Sequence, residues 1–256
     1  MENQLIFGNW IRQKLLIILG LCTLGTFVLI FIPLGFFYRL LMTCACIFTA
    51  FSFLFPFYSY LMFSQKGGRF QEKIYQLIIQ TLGDLVTGRI LDIGSGNGVL
   101  AVKLAQQNPE ATVTGIDYWG KEWEYSKSTC ERNAKVGQVE KRIHFQQGDA
   151  AKLEFDNDMF DAVVSNLTFH EVRSVEDKRE VVLEALRIIK PGGRFAFIDY
   201  FYDTKFYGKP SDFETYLINM KLSQLEYRPL KELIPLPFLL RHPRILGKVG
   251  IIYGKK

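Results

Sequence analysis

The segment best suited to bind a ligand through its backbone is a glycine-rich octet, Leu91-Asp92-Ile93-Gly94-Ser95-Gly96-Asn97-Gly98. It lies where an apolar strand pattern ends and a helical pattern begins. Glycine permits a tight turn and lets a ligand approach the main chain closely. A dinucleotide-binding loop needs Gly-x-Gly-x-x-Gly. Counted from Gly94, the last of those positions is Val99, so that fingerprint is absent. Taken alone, the octet could also be a tight turn that binds nothing.

Alternating strand and helix patterns surround this loop and must position it. Strands are predicted at Arg89–Ile93, Thr112–Asp117, Ile143–Gly148, Phe160–Asn166 and Arg194–Tyr200, and helices at Phe70–Leu82, Val99–Gln107, Lys121–Lys135 and Asp177–Lys190. Pro191-Gly192-Gly193 is predicted to end the last of these helices, and a further helix from Phe213 precedes two strands near Gln224–Leu230 and Gly247–Tyr253. The alternation predicts an α/β fold with a mostly parallel sheet and helices on both faces. Ligands of such sheets bind beyond the carboxyl ends of the strands, where strand order reverses.

The order and spacing of these elements over residues 70–256 resemble the class I S-adenosylmethionine-dependent methyltransferases, whose first motif matches Asp-x-Gly-x-Gly-x-Gly here. The resemblance implies a Rossmann-like methyltransferase fold and S-adenosylmethionine as the cofactor. It also implies that the glycine loop passes under the methionine part of the cofactor and that Asp92 contacts its amino group. The loop residues that it assigns to cofactor binding are Gly94, Ser95, Gly96 and Gly98.

The resemblance assigns further cofactor contacts to the ends of three later strands. Asp117 would accept hydrogen bonds from both ribose hydroxyls, as a carboxylate can, and Tyr118 would lie against the adenine. Asp149, followed by Ala150, would accept from the adenine amino group, and Asn166 ends the strand that faces both cofactor and substrate. Taken singly, Asp117 could cap a helix and Tyr118 could be a packing residue.

Methyl transfer requires a nucleophile held close to the methyl carbon and in line with the bond that breaks. Oxygen and carbon nucleophiles often need a general base as well. The candidate catalytic residues are His170 and Glu171, just past the fourth predicted strand. The alternative is structural, with His170 packed over the cofactor and Glu171 capping a helix. The segment lacks the Asn-Pro-Pro-Tyr pattern of amino-group methylases, which argues against nucleic-acid or protein-amide targets.

Two long uncharged runs precede the α/β pattern. Leu15–Tyr38 has 24 residues without a charge, Leu40–Gln65 has 26, and Arg39 alone separates them. Each exceeds the roughly 20 residues that cross a bilayer as a helix. We therefore predict transmembrane helices at about 15–37 and 40–63, a turn at Pro33 and Gly35, a linker at 64–69 and a methyltransferase domain at 70–256. A hairpin that enters only one leaflet is the alternative.

The basic residues around these runs predict their orientation. Arg12 and Lys14 flank the first run and Lys66 and Arg69 follow the second, whereas the turn offers only Arg39. Because positive charges favour the cytoplasmic side, we predict a multi-pass protein of the cell membrane with both termini and the catalytic domain in the cytoplasm.

Charge and cysteine content narrow the function further. The net charge is +5, of which residues 1–63 contribute +2 and the rest +3, so no nucleic-acid footprint is evident. The four cysteines and three histidines show neither a disulfide framework nor the spacing of a metal site.

The sequence thus predicts a membrane-anchored methyltransferase that uses S-adenosylmethionine and acts on a small-molecule or lipid-like acceptor. One alternative is a module that binds S-adenosylmethionine without catalysis, as a sensor or scaffold. A less favoured alternative is a nicotinamide-dependent oxidoreductase, against which the missing glycine at position 99 counts.

Overall fold

The computed structural model describes residues 4–83, 86–120 and 124–256, and the chain divides into two units. Gly8–Gln71 form a helical hairpin, and Glu72–Lys256 form an α/β unit. The described residues up to Phe7 belong to the α/β unit, although the sequence places them with the hairpin. The hairpin is therefore an insertion, joined to the α/β unit at both of its ends.

Two apolar helices build the hairpin, α1 (Gln13–Leu29) and α2 (Phe36–Phe63). A hydrogen bond of 3.0 Å joins the hydroxyls of Thr26 and Thr49 across the pair. The predicted turn is confirmed, and α2 ends at the predicted position 63. The two ends that face the turn are wrong, because α1 stops eight residues before position 37 and α2 starts four residues before position 40. Pro33 has no backbone N–H to continue a helix, and Gly35 has a φ of 94°, which interrupts the helical backbone before α2.

Most apolar side chains of the hairpin are exposed. Among the described residues, α2 is the helix long and apolar enough to cross a membrane by length and composition, and none of its most apolar stretch is buried in the protein. α1 is equally apolar but has 17 residues, at the lower end of the roughly 17–25 that cross a bilayer as a helix.

Seven strands form one sheet in the α/β unit, in the order β3-β2-β1-β4-β5-β7-β6. The strands are β1 (Gly88–Ile93), β2 (Ala111–Asp117), β3 (Ile143–Gln147), β4 (Phe160–Asn166), β5 (Ile189–Asp199), β6 (Gln224–Pro229) and β7 (Gly250–Lys255). β1 to β5 pair in parallel, and β7 runs antiparallel between β5 and β6. The predicted, mostly parallel sheet is confirmed. Strand order reverses between β1 and β4, so the carboxyl ends of these two strands flank the expected ligand crevice.

The helices of this unit are α3 (Phe70–Thr81), α4 (Val99–Gln107), α5 (Lys127–Val136), α6 (Lys178–Arg187), α7 (Thr204–Tyr207), α8 (Pro210–Asn219) and α9 (Leu230–Leu233). The predicted helix at 121–135 begins in residues 121–123, which lie outside the described residues, but residues 124–126 are described and not helical, so the predicted start is wrong. The helix α5 begins at Lys127 after Ser126, whose backbone is extended and whose hydroxyl accepts from the backbone N–H of Thr129. Such a cap satisfies one of the unpaired amides of the first turn.

The predicted boundary between α6 and β5 is wrong. α6 ends at Arg187, and β5 starts at Ile189 and continues through Pro191-Gly192-Gly193, which was expected to be a turn. Ile189 pairs with Phe160, and the register then shifts before Ala162. This irregularity accommodates Gly192 at a φ of 77° within an extended segment, as β-bulges do.

Candidate active site

The glycine loop after β1 has a backbone that other residues do not adopt without strain. Gly94, Gly96 and Gly98 have φ values of 78°, 56° and 73°, in the left-handed region that favours glycine. A Cβ at Gly94 would lie 1.8 Å from Thr168 Oγ1, and one at Gly98 would lie 2.7 Å from Phe145 Cζ. The loop is therefore held close to the residues after β4, on the crevice at the carboxyl edge of the sheet.

Asp117 at the end of β2 supports this loop. Its Oδ2 accepts from the backbone N–H of Gly96 at 2.8 Å, and its Oδ1 accepts from that of Trp119 at 2.8 Å. The Trp119 indole N–H in turn donates to the Gly96 carbonyl at 2.9 Å. Burial raises the pKa of Asp117 above its ordinary value, although these amides oppose the shift. Each carboxylate oxygen can accept a second hydrogen bond, so ribose hydroxyls remain possible partners.

Three buried acceptors of this region have no hydrogen-bond partner among the described residues, and one of them, Oδ1 of Asn97, lies in the glycine loop. The other two lie near the ends of β1 and β4 and are Oδ2 of Asp92, which is 1% exposed, and Oδ1 of Asn166. Burial, with repulsion from Asp117, raises the pKa of Asp92 from its ordinary value of 3.8 to about 7. An unpaired buried acceptor costs about 1–3 kcal/mol. A ligand that brings hydrogen-bond donors, above all a cationic amine, fits this pair.

The other residues predicted to bind the cofactor differ in their hydrogen bonds, exposure and packing. The Ser95 hydroxyl bonds the backbone carbonyl of Asp92 at 3.0 Å and so braces the loop. Tyr118 is 69% exposed. Asp149 Oδ1 accepts from the backbone N–H of Ala151 in a turn, and Ala150 is packed in the core. Gly148, directly before Asp149, donates to the Asp117 carbonyl at 3.1 Å, which places the β3 end beside the β2 end.

His170 lies in a short 3-10 helix after β4 and is paired with a buried carboxylate. Its Nδ1 is 2.8 Å from Oδ1 of Asp199, which is fully buried at the end of β5. Burial alone lowers the pKa of His170, but the charge of Asp199 and its hydrogen bond, aided by Glu171, raise that pKa above its ordinary value. Because an ionised Asp199 only accepts, the neutral ring carries its proton on Nδ1 and leaves Nε2 as an acceptor.

A cavity of about 810 Å³ opens beside this pair. His170, Tyr200 and Phe206 line one part of it, and the ring of His170 lies 4.7 Å and 5.5 Å from those of Tyr200 and Phe206. Glu171 does not line the cavity, and its Oε1 lies 3.6 Å from His170 Nε2. Of the two candidate catalytic residues, the structure places His170 at the cavity.

Sequence reasoning missed several residues of this site. Asp199 follows the same rule as Asp117, because both acids end strands of the parallel sheet, and that signal could have identified it. Thr168, Trp119 and the cavity residues from α7 and the segment 242–248 carry no motif. The fold brings these residues to the site from distant parts of the sequence, and their spacing along the chain does not reveal it.

The strand order, the glycine loop at the switch point and the acids at the strand ends define a class I, Rossmann-like methyltransferase fold. A family model described as a methyltransferase domain matches residues 86–231. The chain belongs to this family of S-adenosylmethionine-dependent methyltransferases. The fold class, the family and its cofactor, which the glycine motif predicted, are thereby confirmed.

Curated relatives match about half of this chain. The ubiquinone/menaquinone biosynthesis C-methyltransferase UbiE of Geotalea daltonii is 32% identical over 114 residues, 44% of this chain and 46% of the relative. The demethylmenaquinone methyltransferase of Lactococcus lactis is 31% identical over 157 residues, 60% of this chain and 59% of the relative. The chain thus spans about half the length of the curated relatives it matches.

Solved structures share the fold at low sequence identity. The geranyl diphosphate C-methyltransferase of Streptomyces coelicolor has a TM-score of 0.53 and 13% identity, over 73% of this chain and 78% of that one. The [4+2]-cyclase SpnF has a TM-score of 0.52 and 17% identity, over 72% and 80%. Because proteins named for different reactions share this fold, the reaction of this chain must be inferred from its own site.

Proposed function

We propose that this chain is a membrane-associated methyltransferase that uses S-adenosylmethionine to methylate a small-molecule or lipid-like acceptor. The observation that carries the proposal is the buried Asp92, whose Oδ2 has no hydrogen-bond partner among the described residues, next to a three-glycine loop at the switch point. This arrangement suits a ligand whose cationic group donates hydrogen bonds to Asp92. The three glycines let the rest of that ligand approach the main chain of the loop closely.

The chain offers a cofactor site along the ends of four strands. Asp92 and Asn166 would hold the amino end of the cofactor, beside the loop residues Gly94, Ser95, Gly96 and Gly98. Asp117 would bind the ribose. The adenine would lie against Tyr118, Asp149 and Ala150. Asp92 suits a cation because its unpaired oxygen is buried, where an opposite charge is strongly attractive. When bound, the cofactor supplies an electrophilic methyl group.

His170 is the proposed general base. Its Nε2 takes a proton from a hydroxyl or activated carbon of the acceptor, and Asp199 stabilises the imidazolium that forms. Such a carboxylate also fixes the tautomer and the orientation of the ring. Glu171 is a weaker candidate because its side chain is 41% exposed and lies outside the cavity.

The relatives support a small acceptor. Several are named for quinone methylation, and a cavity of about 810 Å³ has the size of small-molecule sites. The test is transfer of radiolabelled methyl from S-adenosylmethionine into an organic extract of whole cells by the full-length protein in detergent. Transfer that is lost in His170→Ala supports the proposal. Cofactor binding without any transfer would favour the sensor or scaffold alternative.

The hairpin is the proposed membrane anchor. Exposed apolar residues cover both helices, and basic residues lie near the chain ends of the hairpin but are sparse at its turn. We propose two crossings with the turn outside the cell and both termini in the cytoplasm.

Cysteine labelling tests this topology. Tyr38→Cys should react with an impermeant maleimide in intact cells, whereas Gln65→Cys should react only after permeabilisation. The parent, with its native cysteines, gives the background. If both variants react only after permeabilisation, the hairpin enters one leaflet and does not cross.

A further inference from the structure

The cavity beside His170 has a cationic wall. Lys205, Arg244 and Lys248 line it, and Asp203 is the acid among its lining residues. Lys248 Nζ is 3.1 Å from Asp203 Oδ1, so this pair largely cancels. Leaving the two histidines aside, the lining side chains have a net charge of +2, from three bases and one acid.

The other two cations have no acidic partner among the residues that the structure describes. Arg244 uses only its backbone N–H, which donates to His242 Nδ1 at 3.2 Å. Lys205 Nζ lies 5.3 Å from the centre of the Phe206 ring, a cation–π contact. A guanidinium and an ammonium at one cavity therefore remain available to a ligand. Arg is particularly suited to grip planar carboxylates or phosphates with two parallel hydrogen bonds.

The cavity also has a flat, apolar surface made of aromatic rings. The rings of Tyr200 and Phe206 flank His170, and both line the cavity. Such rings pack well against an aromatic ligand. The site thus combines an aromatic wall, a candidate base and an uncompensated positive wall.

We infer that the methyl acceptor is an aromatic molecule with an anionic carboxylate or phosphate group, which Arg244 and Lys205 bind while its ring lies against Tyr200 and Phe206. This inference rests on the proposed function. A quinol has no such permanent charge, so the acceptor differs from the quinones for which several relatives are named.

The test is calorimetric titration of the full-length protein in uncharged detergent, saturated with S-adenosylhomocysteine. The probes are 4-hydroxybenzoate, phenyl phosphate and the neutral isostere 4-hydroxybenzamide. At least one anionic probe should bind at least tenfold more tightly than the amide, and the better of the two identifies the group. Added salt should weaken binding of that probe, because the cations are partly solvent-exposed.

Matched variants test whether Arg244 and Lys205 bind the anionic group. The double variant Arg244→Gln/Lys205→Gln should lower affinity for the preferred anion at least tenfold and leave the amide unchanged. Lys209→Gln removes an exposed charge outside the cavity lining and should change neither. Equal binding of anion and amide, no binding of either anion, or an unaffected double variant would each overturn the inference. If any of these results is obtained while S-adenosylhomocysteine binds in the same samples, only the inference about the acceptor is rejected. If S-adenosylhomocysteine does not bind, the proposed function itself is rejected.

Discussion

The side chain of Asn133 pairs with Ile6 as a neighbouring strand would, accepting from its backbone N–H and donating to its carbonyl, both at 2.9 Å. The same amide group donates to the carbonyl of Asn97, inside the glycine loop, at 2.8 Å. Asn133 is fully buried. One residue thus joins the N-terminal segment to the loop proposed to hold the cofactor, across 127 residues of sequence.

Asn133→Ala should therefore weaken S-adenosylmethionine binding, because it leaves the Asn97 carbonyl and the Ile6 backbone without partners at a cost of about 1–3 kcal/mol each. Glu131→Gln is the matched control, since Glu131 lies on the same helix and its side chain is 56% exposed. Calorimetric titration and thermal melts of both variants check this. Equal cofactor affinity in Asn133→Ala and the parent would show that the segment does not support the site. A fragment that starts after the hairpin would lack the segment altogether.

Gly94→Ala should destabilise the protein more than the strain of a positive φ alone would. Gly192 has nearly the same φ, 77° against 78°, but a Cβ there would meet nothing within 4 Å. Gly192→Ala should cost about 1–2 kcal/mol of stability. Gly94→Ala adds a clash with Thr168, worth roughly 1–3 kcal/mol more, and should abolish cofactor binding. Urea unfolding and titration check both, and similar losses in the two variants would contradict the clash.

The stability of the cofactor-free protein should depend on pH through Asp92. Because the folded pKa is raised from 3.8 to about 7, the native state binds this proton more tightly than the unfolded chain. The contribution to stability is complete below about pH 4 and is lost as pH rises through about 7. Thermal melts should therefore fall more steeply between pH 5 and 8 in the parent than in Asp92→Asn. Parallel curves for the two proteins would show that Asp92 is not the group responsible.

The acidic limb of the kcat/KM profile should report His170. A base must be neutral, so activity should rise with pH through the raised pKa of His170, above the ordinary 6.5. Asp199→Asn removes the charge that raises this pKa and should move the limb to lower pH, with a lower kcat. Glu171→Gln, which removes a smaller contribution, should move it less. A limb that stays in place in Asp199→Asn would exclude His170 as the titrating base.

Local patterns predicted the central part of the fold well. The apolar runs of β1 and β4 and the helical spacing of α4 were placed within one residue, because both faces of the strands are buried and no competing pattern exists nearby. The glycine loop was predicted for the same reason. Its positive φ values leave few other residues possible, so the requirement appears in the sequence itself.

Features that depend on distant parts of the chain were not predictable. Pro191-Gly192-Gly193 reads locally as a turn, but Ile189 and Arg194 on either side of it pair with β4, and Gly192 and Gly193 hydrogen-bond the backbone of Lys256, which extends it into β5. The partner of Asn133 lies before the hairpin, and the cations of the cavity come from α7 and from 242–248. None of these relationships has a periodicity or a motif, because tertiary packing alone creates them.

The most direct test of the account is calorimetric titration of the full-length protein in detergent with S-adenosylmethionine, for the parent, Asp117→Ala and the exposed-acid control Asp156→Ala. We expect micromolar binding by the parent and the control, and at least tenfold weaker binding, about 1.4 kcal/mol, by Asp117→Ala. Thermal melts establish that each protein is folded. A folded parent that does not bind S-adenosylmethionine, or an Asp117→Ala variant that binds as tightly as the parent, would contradict the proposed site.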